Sequence, residues 1–174
     1  MATKKSMWVL FGTLVISALI LGPAIQVGAE TMKFKFYTYV TQDENAPIGD
    51  VEGHKVTFSI RRGFCVFENG EVATEVAVAT GDNIKGSGSS TMYRTITFSD
   101  GSTIIMRVRF SVAGSAEGKP ASTQGTSEII KGTGRFEGIK GTGAGSTKFL
   151  PVEKGEAAPK GIGEGTITYT LPSK

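Results

Sequence analysis

Polar and apolar residues alternate in steps of two along much of the chain beyond residue 29, and that is the side-chain period of a β-strand. Over residues 32–40, Phe34, Phe36, Thr38 and Val40 alternate with Lys33, Lys35, Tyr37 and Tyr39. This predicts a half-buried strand with an amphipathic aromatic outer face. Val56, Phe58 and Ile60 then alternate with Lys55, Thr57, Ser59 and Arg61 in a second strand. Residues 64–67 and 72–80 flank Glu68-Asn69-Gly70, so Asn69-Gly70 marks a hairpin tip. Residues 91–98 and 102–112 flank Ser99-Asp100-Gly101, where Asp-Gly supplies the positive φ of a tight turn. Residues 115–126 read as a loose connection, with a strand at about 126–131 and a last one at 163–171.

The stretch between those last two strands is dominated by glycine. Glycines stand at 132, 134 and 138, then at 141, 143 and 145, and again at 161, 163 and 165. Between the middle set lie only Thr142, Ala144 and Ser146, so two nearly side-chain-free strands are expected. Glycine weakens a strand unless something bulky must approach it closely, so the rest of the chain should supply that bulk. About eight strands at short spacing, with no helical period after residue 29, indicate a barrel or a sandwich. Closure is the stronger way to remove exposed edges, so the expected fold is an all-β, eight-stranded antiparallel β-barrel. Such a barrel either fills with side chains or holds one small ligand. Glycines 141, 143 and 145 facing inward would favour a cavity.

The first 29 residues follow a different pattern. Lys4 and Lys5 precede an apolar run over 7–21, Pro23 breaks it, and Val27-Gly28-Ala29 offers small residues before Glu30. This is the form of a signal peptide cleaved after Ala29, with an uncleaved anchor as the alternative. The expected division is a leader at 1–29 and a single domain at 30–174, secreted or held in a periplasmic or extracellular space. Loss of the leader changes 19 basic and 16 acidic residues to 17 and 16, so the alkaline pI belongs mostly to the leader. Without a basic stripe, nucleic-acid binding is excluded. The single cysteine, Cys65, cannot form an internal disulfide, and packing or self-association must hold the domain.

The segment Ile130-Lys131-Gly132-Thr133-Gly134-Arg135-Phe136-Glu137-Gly138-Ile139-Lys140-Gly141, preceded by an aromatic hairpin, resembles the glycine-rich segment of the dirigent and allene oxide cyclase barrel superfamily. The resemblance implies a secreted eight-stranded antiparallel barrel, often dimeric or trimeric, with a mostly apolar cavity. It also implies the steering of a cyclisation or coupling by shape and exclusion of water, with no bound cofactor. Gly132, Gly134, Arg135, Phe136, Gly138 and Gly141 would be its fold motif, which does not by itself transfer an activity.

The remaining chemistry is sparse. His54 is the sole histidine, which leaves no histidine-rich metal site, and at a strand start it reads as an exposed residue. Asp43, Glu44, Asp50 and Glu52 lack the spacing of a calcium loop and read as a solvated acidic turn. Cys65, within Phe64-Cys65-Val66-Phe67, reads as an inert core thiol. The glycine motif has neither dinucleotide nor phosphate-loop spacing, so no nucleotide cofactor and no metal is expected. Arg94 is the outlier, because it shares a face with Met92, Ile96 and Phe98. If that face lines the lumen, Glu75 or Glu71 would have to neutralise it, and the pair would bind an anionic or enolate-like group, with Tyr93 or Tyr39 as proton donor. The plainer reading is a rim arginine that snorkels to water. Two functions follow from this inventory. One is a lumen that binds a small apolar or phenolic molecule, with a cofactor-free isomerase or cyclase as the enzymatic form. The other is a non-enzymatic structural or interaction module of the cell envelope, acting as a homo-oligomer through its Lys33, Lys35, Tyr37 and Tyr39 face. Neither needs a membrane span once the leader is removed.

Overall fold

The computed structural model describes residues 28–114, 121–152, 154–156 and 158–173; most of the expected leader, at 1–27, lies outside them. Eight strands follow in order: β1 Glu30–Pro47, β2 His54–Phe67, β3 Val72–Ile84, β4 Ser87–Phe98, β5 Thr103–Ala113, β6 Ser122–Thr133, β7 Lys140–Phe149 and β8 Gly161–Thr170. A 3-10 turn, Gly134–Phe136, joins β6 to β7. Each strand pairs antiparallel with its neighbour in sequence, and β1 pairs with β8 to close the barrel. Among the described residues no helix is long and apolar enough to cross a membrane.

The predicted hairpins form for the predicted reasons. Gly70 and Gly101 both have positive φ, at 84° and 79°, the conformation that completes a three-residue hairpin loop. On β1, Phe34, Phe36 and Thr38 are buried while Lys33, Lys35, Tyr37 and Tyr39 face outward, as the alternation predicts. The separate segments at 55–61 and 64–67 are one continuous strand, β2.

Two features reverse the expected facing. On β2 the polar set, Thr57, Ser59 and Arg61, lines the lumen with Lys55 at its mouth, while Val56 is 42% exposed on the outside. The pairing with β1 also shifts between Val40 and Gln42. A bulge adds one residue to one strand and exchanges its two faces, so Asp43 and Asn45 beyond it look into the lumen where Phe34 and Phe36 do before it. A second shift, opposite Ile105 and Met106, does the same on β6.

One end of the barrel is sealed. Phe34, Phe67, Phe98 and Phe136 form a chain of rings with successive centroids 5.2, 5.2 and 4.8 Å apart, and Ile104, Ile139 and Tyr169 pack around it. The glycine-rich motif closes this base. Phe136 is buried, and Arg135 lies over the Phe98 and Phe136 rings at 4.6 and 4.8 Å. Its guanidinium also bridges Glu71 at 2.5 Å and Asp100 at 3.5 Å, tying the β2–β3 and β4–β5 turns together. The bulk expected opposite the glycines comes from β1. A Cβ on Gly165 would lie 2.6 Å from the Phe34 ring, and one on Gly163 would lie 2.2 Å from the Phe36 ring, so β8 is bare because β1 is aromatic.

Candidate functional site

Above the aromatic base the lumen stays open as a cavity of about 310 Å³, within the range of small-molecule sites. One side is apolar, from Phe34, Phe36, Met92, Met106, Val108 and Phe110. Gly125, Gly145 and Gly165 stand side by side across β6, β7 and β8 and add wall with no side chains. The aromatic rings fill the space beside Gly163 and Gly165, and the cavity continues past them along Gly125 and Gly145.

The other side is charged. Arg61 and Arg94 stand at one level of the wall with Ala77 between them, since Ala77 pairs with both. Glu75 lies one inward step below. Its Oε2 is 3.4 Å from Arg94 Nε, and the two side chains are 1% and 9% exposed. Arg94 is therefore buried in the lumen, not snorkelling at a rim, and Glu75 rather than Glu71 is its partner. The Arg94 guanidinium also lies over the Phe36 ring at 4.3 Å, a contact that strengthens where water is excluded. Cys65, fully buried, donates to the same Glu75 Oε2 at 3.4 Å. Burial first, and then the Glu75 charge, push the thiol far above its ordinary range, so it stays a protonated donor.

The two tyrosines singled out from the sequence lie elsewhere. Tyr39 is 50% exposed and Tyr93 52% exposed, both on the outer wall, so the structure does not bring them to the Arg94–Glu75 pair. Tyr93 alternates with the inward Met92 and Arg94, and Tyr39 with the inward Thr38. His54 is more enclosed than expected for an exposed strand start. Its Nδ1 is 2.5 Å from Asp50 and its Nε2 2.8 Å from Asp82, and the side chain is 14% exposed. These bonds raise its pKa and lower that of Asp50. The three groups sit on the outside of the mouth, and no cluster that could hold a metal is present among the described residues.

Several lumen groups were not singled out from the sequence. Arg61 faces the cavity, and its Nη1 is enclosed without a hydrogen-bond partner. Burial pushes its pKa down, against the longer-range pull of Asp43 and Glu75. Thr38 Oγ1 and Asn83 Oδ1 are likewise enclosed and unpartnered, in residues only 7% exposed. The signal for Arg61 was its place in a run of polar residues at alternate positions, which a bland reading assigns to solvent.

No protein-family model matches the chain, and no curated protein sequence is significantly similar to it. Solved structures are similar in fold. The structure of a pterocarpan synthase dirigent protein superposes with a TM-score of 0.51 at 17% identity, covering 84% of this chain and 97% of that one. A second pterocarpan synthase dirigent protein gives 0.49 at 19% identity, covering 82% and 89%. At such identities the likeness is one of fold.

Proposed function

For a barrel of the dirigent type with a charged pair buried in an apolar lumen, we propose that the protein binds a small apolar or phenolic molecule there. The pair then orients that molecule for a cyclisation or coupling that needs no cofactor. The observation that carries this reading is the Arg94–Glu75 pair itself, held at 3.4 Å beside an open cavity. Burying two charges costs several kcal/mol per ion before their attraction offsets it, so such a pair is an expensive way to fill a core. It is a sensible way to hold a polar group of a ligand. In the enzymatic form, an isomerase or cyclase, Arg94 stabilises a developing enolate or phenolate oxygen and Glu75 accepts or returns a proton, while the aromatic base excludes water.

The domain works outside the cytoplasm, as residues 30–174 released from their leader. In support, β1 begins at Glu30, immediately after the expected cleavage position. A second reading rests on the outer face of β1 and β2. There Tyr37 and Phe64 stack at 5.2 Å while remaining 46% and 43% exposed, a surface suited to self-association or to a protein partner.

Native mass spectrometry of the mature protein from its own host separates these readings. A small organic molecule that co-purifies under mild release, leaves on denaturation and is lost in Arg94→Met supports the lumen site. An empty protein of one oligomeric mass supports the interaction module.

A further inference from the structure

Resting on the lumen reading above, the geometry points to Arg61 and Thr38 as a second subsite, one that selects ligands carrying a carboxylate on an apolar ring. Among the described residues the Arg61 side chain has no hydrogen-bond or ion-pair partner; its guanidinium lies 5.4 Å from the Phe149 ring centroid, and its Nη1 is enclosed. Glu75 is already engaged by Arg94 and Cys65. Asp43 acts on Arg61 only at longer range. Thr38, 7% exposed, holds a hydroxyl equally enclosed and equally without a partner.

The two residues are diagonal neighbours across the β1–β2 ladder, because Thr38 pairs with Gly63, two residues from Arg61. Diagonal positions are within reach of a long side chain, and both residues line the same cavity. Buried polar atoms in native proteins are nearly always satisfied, so two unsatisfied donors at diagonal positions of one lumen face require an explanation. A carboxylate supplies it. Its two oxygens accept from the guanidinium fork and the hydroxyl together, while the ring lies against the glycine wall and the Phe36 side. Charge favours an anion as well. Arg94 and Glu75 offset one another, which leaves Arg61 and Lys55 against Asp43 alone on the cavity wall.

The test is calorimetric titration of the mature protein with 2-naphthoate and benzoate, each compared with its uncharged amide. The wild-type protein should bind each acid about tenfold or more tightly than its amide, the scale of a charge-assisted hydrogen bond. Arg61→Met should bring that ratio close to one, and Thr38→Val should weaken the acid about threefold while leaving the amide unchanged. Arg61→Met should also raise the melting temperature of the empty protein, because it removes a charge whose Nη1 is enclosed without a hydrogen-bond partner; if the arginine served the fold through its contact with the Phe149 ring, the substitution would lower it. Amides bound as well as acids, or an acid preference that persists in Arg61→Met, would overturn the subsite and leave the lumen reading standing. Failure of all four compounds to bind would overturn the subsite too, and the native mass spectrum would then decide the lumen reading.

Discussion

Glu75→Gln is the sharpest perturbation of the barrel interior. The substitution keeps the side-chain shape and removes the charge that compensates Arg94, whose side chain is 9% exposed. Cys65 retains an acceptor, so the thiol contact at 3.4 Å is not the main loss. Removing one partner of a buried pair costs about 3–5 kcal/mol. The lower end applies here, because the pair borders an open cavity, not a filled core, and Arg94 keeps its contact with the Phe36 ring. In a domain of this size about 3 kcal/mol lowers the melting temperature by roughly 6–12 °C. Replacing both partners, as Glu75→Gln with Arg94→Met, leaves no orphan charge and should recover most of the loss. Thermal and urea unfolding of the two single variants and the double variant closes the cycle. A Glu75→Gln melting temperature equal to that of wild type, or a double variant as unstable as the sum of the singles, would refute the argument that the two charges compensate each other.

Other consequences are equally direct. Gly165→Ala places a methyl group 2.6 Å from the Phe34 ring and should cost about 1–3 kcal/mol, most of it regained with Phe34→Leu if the clash is with that ring; denaturant titration reads this out. Cys65, fully buried and protonated, should resist an aromatic disulfide reagent in the native state and react only on unfolding, so rapid native labelling would contradict its placement. His54 has a pKa raised by its bonds to Asp50 and Asp82, so its contribution is complete below its unfolded pKa near 6.5 and is lost as pH rises through the higher folded value. Asp50, with a lowered pKa, contributes above 3.8 and loses this as pH falls through its folded value. Amide exchange over residues 48–54, corrected for intrinsic rates, should therefore be slowest between these limits, and His54→Gln should abolish the alkaline limb.

Much of this architecture is legible in the residues. The alternation at 32–40, the turns at Asn69-Gly70 and Asp100-Gly101, and the glycines waiting for bulk all became the elements they suggested. The motif at 130–141 marks the base of the barrel, where Arg135 and Phe136 act on its closure. Within the site, Arg94 was visible as an inconsistency, a charge on an apolar face, with Glu75 or Glu71 as its candidate partner. Arg61 was not, because residues 55–61 of its strand face opposite to the apolar-inward expectation: a lumen that holds polar groups violates that rule. The inward turn of Asp43 and Asn45 was hidden for another reason. One extra residue between Val40 and Gln42 exchanges the faces, and nothing in Val40-Thr41-Gln42 announces a bulge.

The order of the strands around the barrel also bears on how the chain finds its fold. Seven of the eight ladders join strands adjacent in sequence, and only β1 with β8 unites the two ends of the domain. Hairpins form in microseconds, whereas a ladder between distant segments must first overcome the entropy of closing the whole chain. The laying of Phe34 and Phe36 onto the bare face at Gly165 and Gly163 should therefore be a late event, after the rate-limiting barrier. Stopped-flow kinetics of Phe36→Leu should then show faster unfolding with folding hardly slowed. A barrel assembled in this way would have the glycines of its last strand as the seat on which its first strand comes to rest.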